Sequence, residues 1–521
     1  MTPSDADATG ATRVGDGSTK GLARGTIKLP GAVAQSAALV GPSVGVVVGN
    51  AFIASLAGAA SVLAFLIGTI ICVLIAKVIS DYAKRLPSAG SFYTYLTQSF
   101  GAKTGFVTGV LLFGAYALLF PFQLSFFGYY VHGLVSTDFG INIPWQVFAI
   151  ALIIFSVTLA VLGVQYSLQA GLIGLAFEVI VFSVFAILVI AKGGAHGQSL
   201  QVLNPARAPK GFASGLLIAC VYTIFAFVGF ESATTLGEEA SEPKKTIPRA
   251  VMVTTLLLGA FFVVVTYAEV IGFGVSSDGV NNLINDPSAF NTLARRYGNS
   301  FLSGAIDVAV VTSFIALNIV TVNAVTRMLY AMGRDRMLPP ALARLNRRQA
   351  PQTAAITVGL LGIGASLLFG TRYHPEVYAS WSAYFATLLF IGAYIALCVG
   401  IVRFKQRQLG HAFSPIRHAV IPIVSLAGIG LVLYGNVHPL PSAPLRWFIP
   451  ATVAIILVSV VAAYRLEKID PERVRRAGRL FAAAGVDESM PGDEPAPPGA
   501  TSRPTEGAST QPGVGPSHRN V

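Results

Sequence analysis

The sequence predicts an all-α protein that crosses a lipid bilayer about twelve times. Three observations carry that expectation. Only 12% of the 521 residues are charged and 54% are hydrophobic, whereas a soluble domain carries roughly a quarter charged residues. The apolar residues gather in runs of about 20, the length that crosses a hydrocarbon core of about 30 Å. Lys and Arg gather in the short polar segments between those runs, as membrane topology demands. The formal net charge of +12 therefore does not argue for a nucleic-acid partner.

The runs place spans at about 33–58, 61–84, 104–134, 144–162, 167–191, 213–237, 248–272, 301–331, 353–370, 377–402, 418–436 and 446–464. The third and eighth are long enough to tilt or to extend beyond the bilayer. With the N-terminus placed inside, the cytoplasmic segments hold Lys84/Arg85, Lys244/Lys245/Arg249, Arg334/Arg336/Arg344/Arg347/Arg348 and Arg403/Lys405/Arg407. A further basic run, Arg465 to Arg479, comes after the last span. Both termini are then expected in the cytoplasm, and an odd span count would put that last run outside.

The chain divides into three regions: a cytoplasmic segment 1–32, a membrane domain 33–464 and a cytoplasmic tail 465–521. Residues 1–30 lack the apolar core of a secretory signal, so the first span is expected to serve for insertion. Beyond about 480 the chain is rich in Pro, Gly, Ser and Thr and has almost no large apolar residues. It cannot bury enough surface to offset its chain entropy, and disorder is expected. The segment 273–300 contains a helical-looking stretch, 287–297, that would form an external cap. Cys72, Cys220 and Cys398 sit inside apolar runs and suggest neither a disulfide framework nor a metal site. No motif for a nucleotide cofactor or a metal appears, and no catalytic constellation argues for an enzyme.

Two spans do not read smoothly. The first holds Val40-Gly41-Pro42-Ser43-Val44-Gly45 and then Gly49-Asn50. The sixth holds Phe225-Ala226-Phe227-Val228-Gly229-Phe230-Glu231-Ser232. Gly and Pro weaken a membrane helix, and freed backbone groups are tolerated at depth only against protein or a watery cavity. Close helix packing would explain either segment alone. If spans 1–5 and 6–10 are two repeats, however, the breaks fall at matched positions. Paired interruptions of that kind point to a transport site between repeats. Half-helix amides would meet a substrate carboxylate there, and aromatic side chains would cover its apolar part. The candidate substrate-binding residues are Gly41, Pro42, Ser43, Val44, Gly45, Phe225, Phe227, Val228, Gly229 and Phe230.

The stretch from Phe227 through Gly229-Phe230-Glu231-Ser232, Glu238-Glu239 and Glu242-Pro243 to Ile247-Pro248-Arg249-Ala250 resembles the sixth-helix signature of the amino acid–polyamine–organocation permeases. Arg85-Leu86-Pro87-Ser88-Ala89-Gly90-Ser91-Phe92-Tyr93 resembles their second cytoplasmic motif. The segment Asn323 to Pro339 resembles the end of their eighth helix. The three occur in the expected order, and the likeness covers about 30–465. It implies the leucine-transporter-like fold of five plus five inverted helices, with two helices more. It also implies an amino acid or related amine bound where spans 1 and 6 unwind. Ser43-Val44-Gly45 matches the family's G-S-G element, but only the last glycine is kept and Pro42 precedes it. Phe225 falls where some relatives place an aromatic gate.

Acids inside a bilayer are costly and are functional candidates by default. Glu231 lies in the sixth-span break, where relatives use an acid to couple binding to conformation or protonation. Glu178 lies mid-way along span 5, where some proton-coupled relatives carry a lysine that stands in for sodium. Both are candidate coupling groups, and a structural carboxyl is the alternative for each. Asp307 and Glu269 lie nearer the outer ends of their spans and are expected to snorkel to water. Thr312 and Ser313 would line a sodium-like site or bond their own backbone. The function expected is a permease of the cytoplasmic membrane, driven by protons, with sodium or substrate exchange as alternatives. A polyamine or ethanolamine-type cation is the rival substrate, and a non-transporting sensor the rival from another class.

Overall fold

The structure, a computed structural model, describes residues 25–410, 413–438, 440 and 443–471. The tail expected to be disordered, and the first 24 residues, lie outside the described residues. Sixteen α-helices and several short 3-10 turns make up the described chain, which contains no β-strand. An isolated bridge joins Ile27 to Ala240.

Span 1 is two helices, α1 (Leu29–Val40) and α2 (Pro42–Ala57), and span 2 is α3 (Ser61–Ala83). A short helix α4 (Phe92–Phe100), which the sequence did not announce, leads into the 38-residue α5 (Ala102–Phe139). The helices α6 (Trp145–Leu162) and α7 (Val164–Ala191) complete the first five spans. Span 6 is interrupted. A π-helical turn over Phe212–Leu217 runs into α8 (Ile218–Ala226), the chain then unwinds, and 232–236 forms a 3-10 turn.

The remaining helices are α9 (Pro243–Phe273), α10 (Ser277–Asn285), α11 (Ala289–Tyr297), α12 (Ser300–Arg334), α13 (Gln352–Gly370), α14 (Pro375–Leu409), α15 (Pro415–Val437) and α16 (Phe448–Ile469). Helix geometry comes from the solvent: a backbone in lipid must satisfy its own N–H and C=O groups, and a helix does so within one segment. Proline stands in the first turn of α1, α2, α9, α14 and α15, where no intrahelical N–H is needed.

Ten segments among the described residues are long and apolar enough to cross a membrane. The first, Leu29–Ala83, contains both of the first two expected spans, and span 6 contributes only the shorter apolar helix Gly215–Ala226. The protein is a multi-pass membrane protein. Its periphery is apolar: Leu360 and Leu361 of α13, Ile423 of α15 and Leu457, Val458 and Val461 of α16 are all exposed. Lipid, rather than water, is the medium such a surface suits.

Long spans end later than the apolar runs do. The helix α14 continues to Leu409, past the basic cluster at 403–407, because Lys and Arg are good helix formers once the chain reaches water. The helix α9 starts at Pro243 and carries Pro248 inside its second turn. The loop 273–300 forms two helices, α10 and α11. Ser276 Oγ accepts from Gly279 N at 3.2 Å, and Asn299 Oδ1 accepts from Leu302 N at 2.9 Å. These side chains cap α10 and α12, taking up N–H groups that a helix start leaves over.

One expectation for a membrane acid is corrected. Glu269 does not reach water: it is 2% exposed, and Asn50 Nδ2 of α2 donates to its Oε2 at 2.6 Å. Asp307 is only partly buried, and it has protein partners as well. Tyr130 OH of α5 and Asn291 Nδ2 of α11 donate to it at 2.9 to 3.0 Å. Polar partners from neighbouring helices meet both carboxyls, and for Glu269 bonding inside the bundle costs less than stretching to an interface.

Candidate functional site

The two breaks meet. In span 1 the helix stops at Gly41, whose φ of 61° and ψ of 72° are left-handed. It restarts at once with Pro42. The break is therefore narrower than the expected 41–45: Ser43, Val44 and Gly45 form the first turn of α2. One left-handed residue suffices because Pro42 and Ser43 withhold the next two helix bonds. Pro42 has no N–H for the Ala38 carbonyl, and Ser43 N–H turns away from Leu39 O to donate to Glu178 Oε2 at 2.9 Å. The last carbonyls of α1 and the first amides of α2 are thus released from the helix ladder. Val44 N–H has no acceptor among the described residues.

In span 6, turns run from Phe227 to Glu231, with Gly229 at φ 113°. A Cβ on Gly229 would lie 2.1 Å from Leu39 Cδ2 and 3.0 Å from the Leu39 carbonyl carbon and oxygen. Only glycine lets the chain pass α1 so closely. Ser232 Oγ donates to Gln35 O at 3.2 Å, and Ala233 N donates to Ser36 Oγ at 2.9 Å. These bonds tie the far half of span 6 along α1.

Glu231 is fully buried, with three donors around its carboxyl. Tyr116 OH of α5 donates to Oε1 at 2.7 Å, Tyr394 OH of α14 to Oε2 at 2.9 Å, and Gly229 N to Oε2 at 3.2 Å. One side chain therefore links two other spans to the break, and sequence reasoning named neither tyrosine. Glu178, also fully buried, caps the first turn of α2 from α7. A carboxylate favours that end of a helix, where N–H groups and the helix dipole face it. The Ser43 and Ser313 hydroxyls lie beside the same carboxyl. Glu178 Oε1 and both hydroxyls are buried without a hydrogen bond of normal geometry. Thr312 bonds its own helix, donating to Ala309 O at 3.0 Å.

A cavity of about 480 Å³ abuts both breaks, within the range of small-molecule sites. Val44, Gly45, Phe225 and Val228 line it. Gly41, Pro42, Ser43, Phe227, Gly229 and Phe230 are not among its lining residues. Phe227 packs edge-on against Phe262 at 5.1 Å between centroids, and Phe230 lies against Tyr394 at 6.1 Å. The remaining wall is chiefly apolar and aromatic, with Val48, Phe52, Leu119, Phe122, Tyr222 and Trp381 prominent. No charged side chain lines it. Val377, Trp381 and Leu445 carry it towards the end of the bundle opposite the basic clusters.

On the basic side the bundle is closed by polar packing. Gln123 Nε2 donates to Thr321 Oγ1 at 2.9 Å, and Asn318 Nδ2 donates to Gln123 Oε1 at 3.0 Å. Further out, Arg327 of α12 pairs with Glu239 just after span 6, both 4% exposed or less. Arg334 grips Glu238 through two bonds of 2.8 and 3.0 Å.

Residues 33–435 match the family described as amino acid permease. The chain belongs to the amino acid permease family. It is a transporter and not an enzyme. The chain is 26% identical over 405 residues to the branched-chain amino acid permease BcaP of Lactococcus lactis subsp. cremoris, covering 73% of this chain and 83% of that one. It is 23% identical to the amino-acid permease RocC of Bacillus subtilis, over 75% of this chain and 84% of that one. It is 26% identical to the low-affinity putrescine importer PlaP of Escherichia coli K12, over 55% of this chain and 63% of that one.

Gly45 gives this permease a simple test. A Cβ there would lie 3.2 and 3.3 Å from the Phe262 ring and 3.8 Å from Ala226 Cβ. The first atom of a new side chain thus meets α9 and α8 while the rest extends beside the cavity. Gly45→Leu is expected to reduce uptake by at least about tenfold at an unchanged membrane level, in line with the 1–3 kcal/mol typical of overpacking. Adding Phe262→Ala should restore part of it. Normal uptake by Gly45→Leu would remove Gly45 from the site.

Proposed function

We propose that this permease is a secondary active transporter that moves a neutral, mainly apolar amino acid across the cytoplasmic membrane by alternating access. The observation that carries the substrate class is the cavity wall, which is apolar and aromatic and holds no charged side chain. A diamine such as putrescine brings two charges and would need carboxylates facing it. The nearest ones are occupied: Glu231 by Tyr116, Tyr394 and Gly229, and Glu178 by the α2 amide. A zwitterion needs only what the breaks offer. The Val44 N–H at the start of α2, the one amide of that turn left without an acceptor, suits a carboxylate, and the released carbonyls at the end of α1 suit an ammonium. Phe122 and Phe225, 6.5 Å apart between centroids, would enclose the side chain. The similarity to BcaP, named a branched-chain permease, points the same way.

In this reading the membrane domain is 33–464, with cytoplasmic segments on both sides of it, and the basic end faces the cytoplasm. The cavity then belongs to the outward-facing half of the cycle, and the Glu239–Arg327 and Glu238–Arg334 pairs hold the inner side shut. The coupling ion is a proton, and Glu178 or Glu231 takes it up. A second reading has its own observation: Glu178 Oε1 and the Ser43 and Ser313 hydroxyls form a cluster of unbonded hard oxygens beside the break, the ligand type a sodium ion takes.

One experiment separates these readings. Radiolabelled leucine, arginine and putrescine are offered to proteoliposomes under an imposed pH gradient, with and without sodium. The parent is expected to accumulate leucine with the pH gradient alone, and Glu178→Gln or Glu231→Gln to lose that accumulation. A sodium requirement without any response to the pH gradient would remove proton coupling. Uptake only into vesicles preloaded with substrate would make the protein an exchanger. Preference for putrescine would overturn the substrate class.

A further inference from the structure

A second cavity, of about 410 Å³, opens at the basic end of the bundle between α3, α14 and α15, away from the transport path. Four cations line it: Lys77, Lys84 and Arg85 at the end of α3 and Lys405 on α14. One carboxylate, Asp81, stands among them. Lys405 Nζ donates to Asp81 Oδ2 at 2.6 Å, Lys77 pairs with Oδ1, and Lys84 Nζ lies 3.5 Å from Oδ1. An ammonium has three protons, so sharing Asp81 holds the lysines in place while each keeps donors to spare.

The charge left over is positive, and it is concentrated in a concave site. His418 of α15 adds a donor. Ser414 N–H donates to His418 Nδ1 at 3.0 Å, which leaves Nε2 as the nitrogen that carries hydrogen. The other walls are apolar, with Val78, Ile401, Phe404, Ile421 and Pro422. Next to them α15 presents Ile416, Val420, Ile423 and Val424, all exposed. The cavity thus joins a cluster of cations at the end of three spans to an apolar surface running down one of them.

We propose that this cavity binds the phosphate headgroup of an anionic phospholipid, whose acyl chains lie against the exposed face of α15. A phosphodiester supplies acceptors for several ammonium donors at once, and basic pockets between membrane helices are suited to such headgroups. A soluble anion would share the headgroup chemistry but would make no use of the apolar α15 face that adjoins the cations. The bound lipid bridges α3 to α14 and α15, beside the Lys405–Asp81 pair and the Tyr82–Phe404 ring contact that already join α3 to α14.

The test uses the full-length purified protein in nonionic detergent, stripped of lipid. Phosphatidylglycerol, phosphatidylcholine or inorganic phosphate is added, and bound lipid is read by native mass spectrometry beside the thermal unfolding midpoint. Phosphatidylglycerol is expected to stay bound and to raise the midpoint, and the other two are not. Lys84→Gln/Arg85→Gln removes two charges at the rim without breaking a buried pair, since the Lys84 side chain is 54% exposed. It should weaken phosphatidylglycerol binding roughly fivefold per charge, the weight of about 1 kcal/mol for each basic side chain near an anionic surface. Lys77→Gln/Lys405→Gln should do the same if it folds. Lys244→Gln/Lys245→Gln, an equal charge change outside the cavity, should leave binding unchanged. Equal binding of phosphatidylcholine would overturn the proposal. So would equal weakening by the Lys244/Lys245 variant, or displacement of the lipid by inorganic phosphate at the same concentration.

Discussion

Arg327→Met is expected to lower folding stability by about 3–5 kcal/mol, the loss found when one partner of a buried ion pair is removed. Glu239 is 2% exposed and would remain in the bundle with no cation beside it. The guanidinium also donates to Asn323 O at 3.0 Å, and that carbonyl would lose a donor. The double variant Arg327→Met/Glu239→Gln should recover most of the loss, because no buried charge is then left alone. Arg327→Lys should fall between, since a point charge cannot reproduce two bonds to one carboxylate. Thermal unfolding of the parent, Arg327→Met, Glu239→Gln and the double variant in detergent gives the coupling energy directly. If the single variants and the double variant all cost the same, the pair contributes packing and not charge. Transport carries a second signature: where this pair closes the cytoplasmic side, the double variant should be stable yet occupy the outward-facing state less.

Gly229→Ala is expected to remove nearly all uptake, by about ten- to a hundredfold, while the protein still reaches the membrane. A residue with a side chain at φ 113° carries backbone strain of about 1–3 kcal/mol. The new Cβ would also sit 3.0 Å from the Leu39 carbonyl carbon and oxygen. The Leu39 side chain can rotate away from its 2.1 Å contact, but α1 itself cannot move without carrying the span 1 break with it. Leu39→Ala added to Gly229→Ala should therefore restore only a small part of uptake. Parent-level uptake by Gly229→Ala would mean that the close approach of the two breaks is not needed for transport.

Much of the architecture is legible in the residues alone. Each expected apolar run coincides with a helix or, for the first and sixth runs, with a broken one. The interruptions are legible as well, because Gly41-Pro42 and Gly229 are chemical statements about the backbone that hold in any tertiary setting. Their extents are not. Span 1 needs one left-handed residue, because Glu178 offers Ser43 N–H a partner 135 residues away. Span 6 unwinds over several residues, and there Glu231 holds the turn through Gly229 N.

The side-chain partners are hidden for a related reason. Tyr116 and Tyr394 lie 115 and 163 residues from Glu231, and Asn50 lies 219 from Glu269. In spans that are apolar on all sides, amphipathic periodicity no longer marks the inner face. Phe227 and Phe230 cannot be told from Phe225 by pattern, yet Phe225 alone of the three lines the cavity. A hydroxyl inside an apolar run is the one available signal for both tyrosines, and it names no partner.

The sequence by itself determined that the chain lives in lipid, where the apolar part of each long helix lies, which two spans break, and which family it belongs to. These are local properties: in hydrocarbon each segment must satisfy its own backbone, so composition and punctuation decide the outcome. Only the tertiary structure decided which faces line the cavity, that Glu231 and Glu178 are held by donors from other spans, and that Glu269 turns inward instead of reaching for water. Those outcomes depend on which helices become neighbours, and a buried acid takes whatever donor packing brings within about 3 Å.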